Sequence, residues 1–557
     1  VGNRGRQGLA AAAAFLMVAT AASRVLGLFR EQVMLSMLGL NAQMGAFTVA
    51  FKIPSLVRTL VADTALSAAF IPVFSELLAK DRREEAWQVA TTVMLLATLV
   101  LGVISLLGVL FAPQVVALAA PGFEDPATIE LAVELTRIMF PTVLIFGLTG
   151  IMMGILNSYN HFTLPALAPI VWNLVIIGAV FFFADDLGFQ ALAWGIVIGT
   201  VLQLVIQIPA VTSRGGRKML SVSLRHPAVR RVGILLGPVM LSLGVVNFNV
   251  LINTIIASYI SEEAPAVIDK AFRLFQLPQG MFAIAIGTVL FPALSRLAAS
   301  DQLAGFRSTV SLGVRQILFV TLPFTGFFIV LGRPTVRLIF EHGLVSPEDT
   351  GQIAWALAFY SMGMAFVSAN TLLNRAFYGM QKAWLPLMVG GVNLVLNAAL
   401  SLALYRPLQE GGITLSTALV SAFNFLALMW LLKREIGTVD GRTIAASGFR
   451  SVASLVPLGL AGFGAWYVLD GLLGRSLPGQ LVSLAAGYAA GLAAYAVAAR
   501  LLRMQELHEV LAVVRRRRSR AAVGEAGITA GTEAGSEGGD IAPGFSRTEV
   551  DSTDEGD

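Results

Sequence analysis

The chain has no cysteine in 557 residues. That excludes disulfides, thiolate nucleophiles and cysteine-based metal sites. Charge is scarce as well. Asp, Glu, Lys and Arg make up 13% of the residues, where a soluble protein carries roughly 25%. The histidines His161, His226, His342 and His508 are scattered, and none pairs at a metal-ligand spacing. No metal site and no cofactor is expected. No Ser–His–Asp set falls on adjacent loops, no pair of intramembrane aspartates stands out, and no Gly-rich loop carries a phosphate-binding Lys. No catalytic residue is assigned, and the chain reads as a secondary transporter rather than an enzyme. What it has in plenty is apolar surface: 56% hydrophobic residues and a mean hydropathy of +0.76. This is the composition of an all-α polytopic membrane protein. The formal charge of +5 is assigned to basic loops and not to nucleic-acid binding, because no soluble domain is available to hold a nucleic acid.

Apolar runs near the roughly 20 residues that span a bilayer fall at 9–33, 46–68, 88–112, 131–156, 163–184 and 190–211. They resume at 232–260, 267–292, 311–332, 352–378, 385–405 and 411–432, with two more at 449–471 and 478–502. The pattern predicts about fourteen transmembrane helices. It divides into a six-helix lobe over 9–211, a basic loop over 212–231, a second six-helix lobe over 232–433, and two further helices over 446–503. The first run continues unbroken into charged sequence, so it is read as a retained helix and not a cleaved signal peptide. An even number of spans puts both termini on one side. The loop 213–231 carries Arg214, Arg217, Lys218, Arg225, Arg230 and Arg231 and no acid, which makes that side cytoplasmic. Opposite loops carry Glu124-Asp125, Asp185-Asp186, Glu262-Glu263 and Glu348-Asp349, read as solvated charges. The segment 504–557 is polar and cannot bury enough apolar surface to order itself. Its Arg515–Arg518 cluster is expected to meet anionic lipid headgroups.

The chain repeats internally. Ala50-Phe51-Lys52 matches Ala271-Phe272-Arg273, FIPVFSELLAKD from Phe70 matches LFPALSRLAASD from Leu290, and Pro165 matches Pro386. The offset is 220 or 221 throughout. Each copy spans an even number of helices, so the copies insert in the same orientation. A substrate site between them is expected.

The stretch 23–58 carries Arg24, Arg30, Glu31, Lys52 and Arg58 within the first spans. A cation facing lipid at mid-bilayer costs about 2.5–3.5 kcal/mol, so these groups should face the bundle interior or a water-filled cavity. The excess is positive, and the planar fork of Arg suits a phosphate or pyrophosphate. Glu31 and Asp63 are the expected charge partners. Gly27 and Pro54 should bend or unwind their helices. Of the four cations, only Lys52 keeps a cationic counterpart in the second copy: Arg24, Arg30 and Arg58 correspond to Val245, Leu251 and Gln279, whereas Lys52 corresponds to Arg273. Like charges on the two lobes should repel unless an anion bridges them. Arg58 and Arg375 are read as snorkelling, and Glu134 with Arg137 as an intrahelical pair. Asn393 and Asn397 share one helix face, Asn253 lies at equivalent depth, and Thr414 and Thr417 follow on the next helix. Mutual hydrogen bonding of these groups is the first reading, and an ion site of neutral oxygens the second.

SRVLGLFRE, AFKIPSLVR, FIPVFSELLAKD, APGF and LNSYNHFTLPALAP together resemble the MurJ (MviN) family, bacterial lipid II flippases of the MOP transporter superfamily. The resemblance spans residues 9–503. It implies two six-helix lobes around a cationic cavity and two further helices beside them. It also implies a substrate, the undecaprenyl-pyrophosphate-linked peptidoglycan precursor, moved from the inner to the outer leaflet of the bacterial plasma membrane. Carried over by motif, the substrate residues are Arg24, Arg30, Arg58 and Arg273, with Ser23 before the first. Glu31 and Asp63 stand where relatives often have Asp and Glu. Gly45 stands where many relatives have Asp. The family's sodium ligands fall on Asn253, Asn393, Asn397, the Ile413 carbonyl and Thr417. Coupling to membrane potential, Na+ or H+ stays open, as do cell-wall synthesis proteins as partners beside the membrane lipids. The alternatives are a flippase for another undecaprenyl-linked glycan and a MOP-type drug exporter, which should place acids in its cavity.

Overall fold

The computed structural model describes residues 3–59, 67–215 and 221–509. Asp63, Arg217, Lys218 and the tail from residue 510 lie outside the described residues. Among the described residues every regular element is a helix. The first half of the chain forms α1 (Asn3–Leu38), α2 (Ala42–Val57), α3 (Ser67–Ala79), α4 (Arg83–Leu110), α5 (Ala112–Ala119), α6 (Pro126–Met139), α7 (Thr142–Ser158), α8 (Thr163–Leu187), α9 (Phe189–Val205) and α10 (Ile208–Thr212). The second forms α11 (Pro227–Ser258), α12 (Ala264–Ala299), α13 (Leu303–Val330), α14 (Gly332–Phe340), α15 (Pro347–Met362), α16 (Met364–Gly379), α17 (Trp384–Leu408) and α18 (Glu410–Ile436). Then come α19 (Gly441–Ala453), α20 (Leu455–Leu473) and α21 (Leu477–Leu501). Among the described residues nine spans are long and apolar enough to cross a bilayer, or eleven when two bent helix pairs each count as one. One bent pair is α15 with α16, which turn by 45°. There a Cβ on Gly363 would lie 2.6 Å from the Ala418 backbone, so the bend seats the glycine directly against α18.

The internal repeat is visible in the backbone. Helices α8 and α17 begin and end 221 residues apart. Left-handed residues recur too: Asp81 with Asp301, Asn160 with Gln381, and Gly188 with Gln409. A left-handed conformation costs a non-glycine residue roughly 1–2 kcal/mol, so its recurrence at matched turns marks the same chain path in both halves. The described residues up to 498 form one compact unit, and residues 499–509 fall in a second.

Within the first unit, one buried apolar cluster joins the halves. Met34, Leu35, Met44 and Phe47 of α1 and α2 pack with Ala271 and Phe275 of α12, Phe340 of α14 and Tyr360 of α15. Other faces present large apolar side chains outward, including Phe181–Phe183 on α8 and Val456, Leu460 and Tyr467 on α20. For a chain this apolar, those faces meet lipid.

Candidate functional site

Helix α1 runs unbroken through Gly27, so the chain is not unwound there. Gly27 faces α8 with room for a side chain: a Cβ there would sit 4.0 Å from Asn173 Oδ1, an ordinary contact, and Asn173 Nδ2 donates to the Ser23 carbonyl at 3.5 Å. Helix α2 likewise continues through Pro54 to Val57, and the Arg58 N–H donates to the carbonyls of Pro54 and Ser55. The Arg58 guanidinium lies over the Phe146 ring at 4.3 Å. The cation is thus turned onto a neighbouring helix of the bundle.

The charged residues form one cluster between the halves. Glu31 is 2% exposed and accepts from Arg30 on its own helix and from Lys270 on α12. Arg273 Nη1 lies 3.2 Å from the same carboxylate. Asp269 accepts from Lys52 Nζ at 2.7 Å and from Arg273 Nε at 2.8 Å. Arg30 also stacks on Trp172 at 4.8 Å. Four cations thus surround two carboxylates, and the excess is positive. The expected repulsion across the halves is corrected, because each acid lies between cations of both halves. Asp269 and Lys270 were not singled out from the sequence. Their repeat counterparts are Thr48 and Val49, so the repeat drew no attention to them. The signal that could have found them is the Asp269/Arg273 spacing of i to i+4 inside an apolar run. Arg375 donates to Thr288 Oγ1 at 2.9 Å, and Glu134 accepts from Gln190 at 2.6 Å rather than pairing with Arg137.

The predicted residues are distributed over three cavities. Arg24, Glu31 and Arg273 line one of about 450 Å³, whose far wall includes Gly280. A Cβ on Gly280 would meet the Arg24 guanidinium at 2.9 Å, so this glycine makes room for the cation. Ser23 and Arg58 line a second cavity, of about 490 Å³, with Phe146 and Trp172. Lys52, Asn253, Asn393 and Thr417 line a third, of about 450 Å³. Arg30 is buried and lines none of these three.

The polar residues of α11, α17 and α18 come together and bond one another. Asn397 Nδ2 donates to Asn253 Oδ1 at 2.7 Å, Asn253 Nδ2 to Thr417 Oγ1 at 3.1 Å, and Thr417 Oγ1 to the Ile413 carbonyl at 3.2 Å. Ser416 donates to Asn397 Oδ1 at 2.8 Å, and Thr414 to the Gly411 carbonyl at 3.1 Å. Asn393 Oδ1 is buried with no partner among the described residues. Among the described residues no cluster of His, Asp or Glu could hold a metal ion.

At one end of the bundle the halves meet through glycines. A Cβ on Gly45 would lie 1.7 Å from the Glu262 carbonyl oxygen. One on Gly122 would lie 2.5 Å from the Ser258 backbone, and one on Gly343 2.1 Å from the Ser36 carbonyl oxygen. Gly343 also has φ of +60°. Gly122 and Gly343 are 221 residues apart, so the seam is built twice, once from each half. Glu262 is not merely solvated, as its loop position suggested: its carboxylate accepts from the Asp125 N–H and the Thr128 hydroxyl, each at 2.8 Å. Asp125 caps α6, and the Thr128 hydroxyl and N–H hold its carboxyl below the usual carboxylate range.

A family model described as lipid II flippase MurJ matches residues 34–502. The lipid II flippase MurJ of Burkholderia cenocepacia is 31% identical over 424 residues, covering 75% of this chain and 82% of that relative. A probable lipid II flippase MurJ of Rhizobium tropici is 33% identical over 434 residues, covering 75% and 79%. Among solved structures, a lipid II flippase MurJ in an inward closed conformation superposes with a TM-score of 0.73 at 22% identity, covering 87% of this chain and 99% of that one. An inward-facing multidrug resistance MATE family transporter of the MOP superfamily gives 0.66 at 13% identity, covering 76% and 99%. Those two likenesses establish the fold.

Proposed function

The chain belongs to the lipid II flippase MurJ family, and from that we propose how it carries lipid II across the membrane it spans. The observation that carries the proposal is that Arg24 of the first half and Arg273 of the second line one cavity. A pyrophosphate placed there would take two guanidinium forks, one from each half, in charge-assisted hydrogen bonds. Glu31 and Asp269 already sit against Arg273. A phosphate entering the cluster competes with the carboxylates, so substrate binding and weakening of the contacts between the halves become one event. That gives the ligand a different interaction energy in the two states, as any ligand-driven shift requires.

The glycine seam closes the end of the bundle that holds Ser36, Ser258 and Glu262. The basic residues Arg225, Arg230 and Arg231 lie at the opposite end of α11. By the loop-charge rule that basic end is cytoplasmic, both termini are cytoplasmic, and the glycine seam faces outward. Lipid II then enters from the inner leaflet and leaves to the outer leaflet by rocking of one half against the other. Membrane potential, Na+ or H+ supplies the driving force, and the Asn253–Asn397–Thr417 network is the place where a cation would act. Cell-wall synthesis proteins would receive the product. An exporter of organic cations shares the fold but would need an excess of acid where this cluster has an excess of base. The test is rescue of cells depleted of their lipid II flippase. Wild type should restore growth and Arg24→Ala should not; failure of wild type to rescue refutes the assignment.

A further inference from the structure

The third cavity has a chemistry unlike the other two. Six asparagines line it: Asn249, Asn253, Asn370, Asn374, Asn393 and Asn424. Its two charged residues, Lys52 and Asp269, neutralise each other at 2.7 Å. Apart from Lys52, every wall belongs to the second half. The second half therefore supplies this cavity with neutral amides, whereas the arginine-lined cavity draws on both halves.

An amide side chain both donates and accepts. Clustered amides suit a ligand rich in hydroxyls and amides and without charge. Aromatic surface is present as well, from Phe272, Phe275 and Tyr378. Asn249, Asn370 and Asn393 each leave a side-chain oxygen buried with no partner among the described residues. A buried acceptor left unpaired is destabilising by about 1–3 kcal/mol, and rotation of the amide toward a donor in the cavity would relieve it. The volume of about 450 Å³ falls in the usual range for small-molecule sites, roughly 300–1,000 Å³.

Position adds the decisive constraint. This cavity shares Gln276, Gln279 and Thr371 with the cavity of Arg24 and Arg273, so the two are adjoining compartments. In a lipid-linked glycan the sugar is bonded directly to the pyrophosphate. We propose that the amide-lined cavity of the second half holds the saccharide of the headgroup while Arg24 and Arg273 hold its pyrophosphate. The proposal rests on the flippase reading above. It makes the second half the part of the chain that distinguishes a glycosylated carrier from a bare one.

The test uses the purified full chain and three probes: lipid II, undecaprenyl pyrophosphate, and undecaprenyl-pyrophosphoryl disaccharide without peptide. The variant is Asn374→Leu with Asn424→Leu, which keeps the branching and the number of side-chain heavy atoms and removes two hydrogen-bonding groups. Affinity for both glycosylated probes should fall about tenfold. Affinity for undecaprenyl pyrophosphate should stay within about twofold, which also shows that the variant is folded. An equal fall for all three probes overturns the proposal, as does no fall for any. A fall for lipid II alone also overturns it, because the cavity would then hold peptide. So does Na+ alone stabilising wild type, with that effect lost in the variant and lipid affinities unchanged. If wild type binds lipid II and undecaprenyl pyrophosphate equally well, the saccharide site is wrong while the flippase reading stands. If wild type binds no lipid II, both fall.

Discussion

Lys52 and Arg273 hold one carboxylate between them. Lys52 Nζ donates to Asp269 Oδ1 at 2.7 Å, and Arg273 Nε donates to Oδ2 at 2.8 Å. The two cations stand at equivalent positions of the repeat, 221 residues apart. Two like charges facing each other across a symmetric interface would push the halves apart. One acid, present in the second copy only, turns that repulsion into a link.

Removing the acid should therefore weaken the interface. Asp269→Ala leaves both cations without this partner; the pairs are partly buried, so the cost should fall between the roughly 1 kcal/mol of an exposed pair and the roughly 3–5 kcal/mol of a fully buried one. The thermal midpoint of the purified protein should drop clearly. Lys52→Met combined with Asp269→Leu should recover part of the loss, since paired apolar replacements spare the desolvation penalty. A double variant as unstable as the single one would contradict this.

Accessibility separates the arginines. Single cysteines at positions 24 and 273 should react with a membrane-impermeant charged thiol reagent, because Arg24 and Arg273 line a cavity. Cysteine at 30 should react slowly, because Arg30 is 7% exposed. The natural absence of cysteine makes each label unambiguous. Protection of 24 and 273 in every condition would sink the cavity model.

Charge alone should not suffice at Arg24. Arg24→Ala should abolish lipid II translocation while membrane insertion stays intact. Arg24→Lys should be partly active, since a point charge replaces a two-donor fork. A fully active Ala variant in a reconstituted translocation assay removes Arg24 from the substrate site.

The glycine seam predicts a steric effect. A side chain at Gly45 would overlap the Glu262 backbone, 1.7 Å away. Gly45→Ala should open that end of the bundle, even though alanine favours a helix over glycine by about 1 kcal/mol. Spin labels near Asn41 and Glu262 should report a longer distance in Gly45→Ala than in wild type. An unchanged distance would show that the seam yields without separating.

The polar network predicts a gain of function. Asn397 Oδ1 accepts from Ser416, and its Nδ2 donates to Asn253. Asn397→Asp removes that donor and adds a charge beside Asn253 and Thr417. Na+ should then raise the thermal midpoint of Asn397→Asp more than that of wild type, by linkage. Equal responses in both would mean that these groups do not form an ion site.

The sequence by itself determined that this is a helical membrane protein, that it is built twice, and that its intramembrane charge is cationic. Those conclusions rest on period, length and composition, which act locally and are written in order along the chain. Even the matched turns at Asn160 and Gln381 lie within reach of a simple offset. Tertiary structure alone decided which charges meet. Glu31 and Lys270 are 239 residues apart in the chain, and no local rule pairs them. It also decided that Gly45 is a contact and not a gap, because the need for glycine there comes from a carbonyl of the other half. The physical reason is common to both: an ion pair or a close approach depends on two distant segments arriving at one place, whereas a helix depends only on its own residues and the solvent around them.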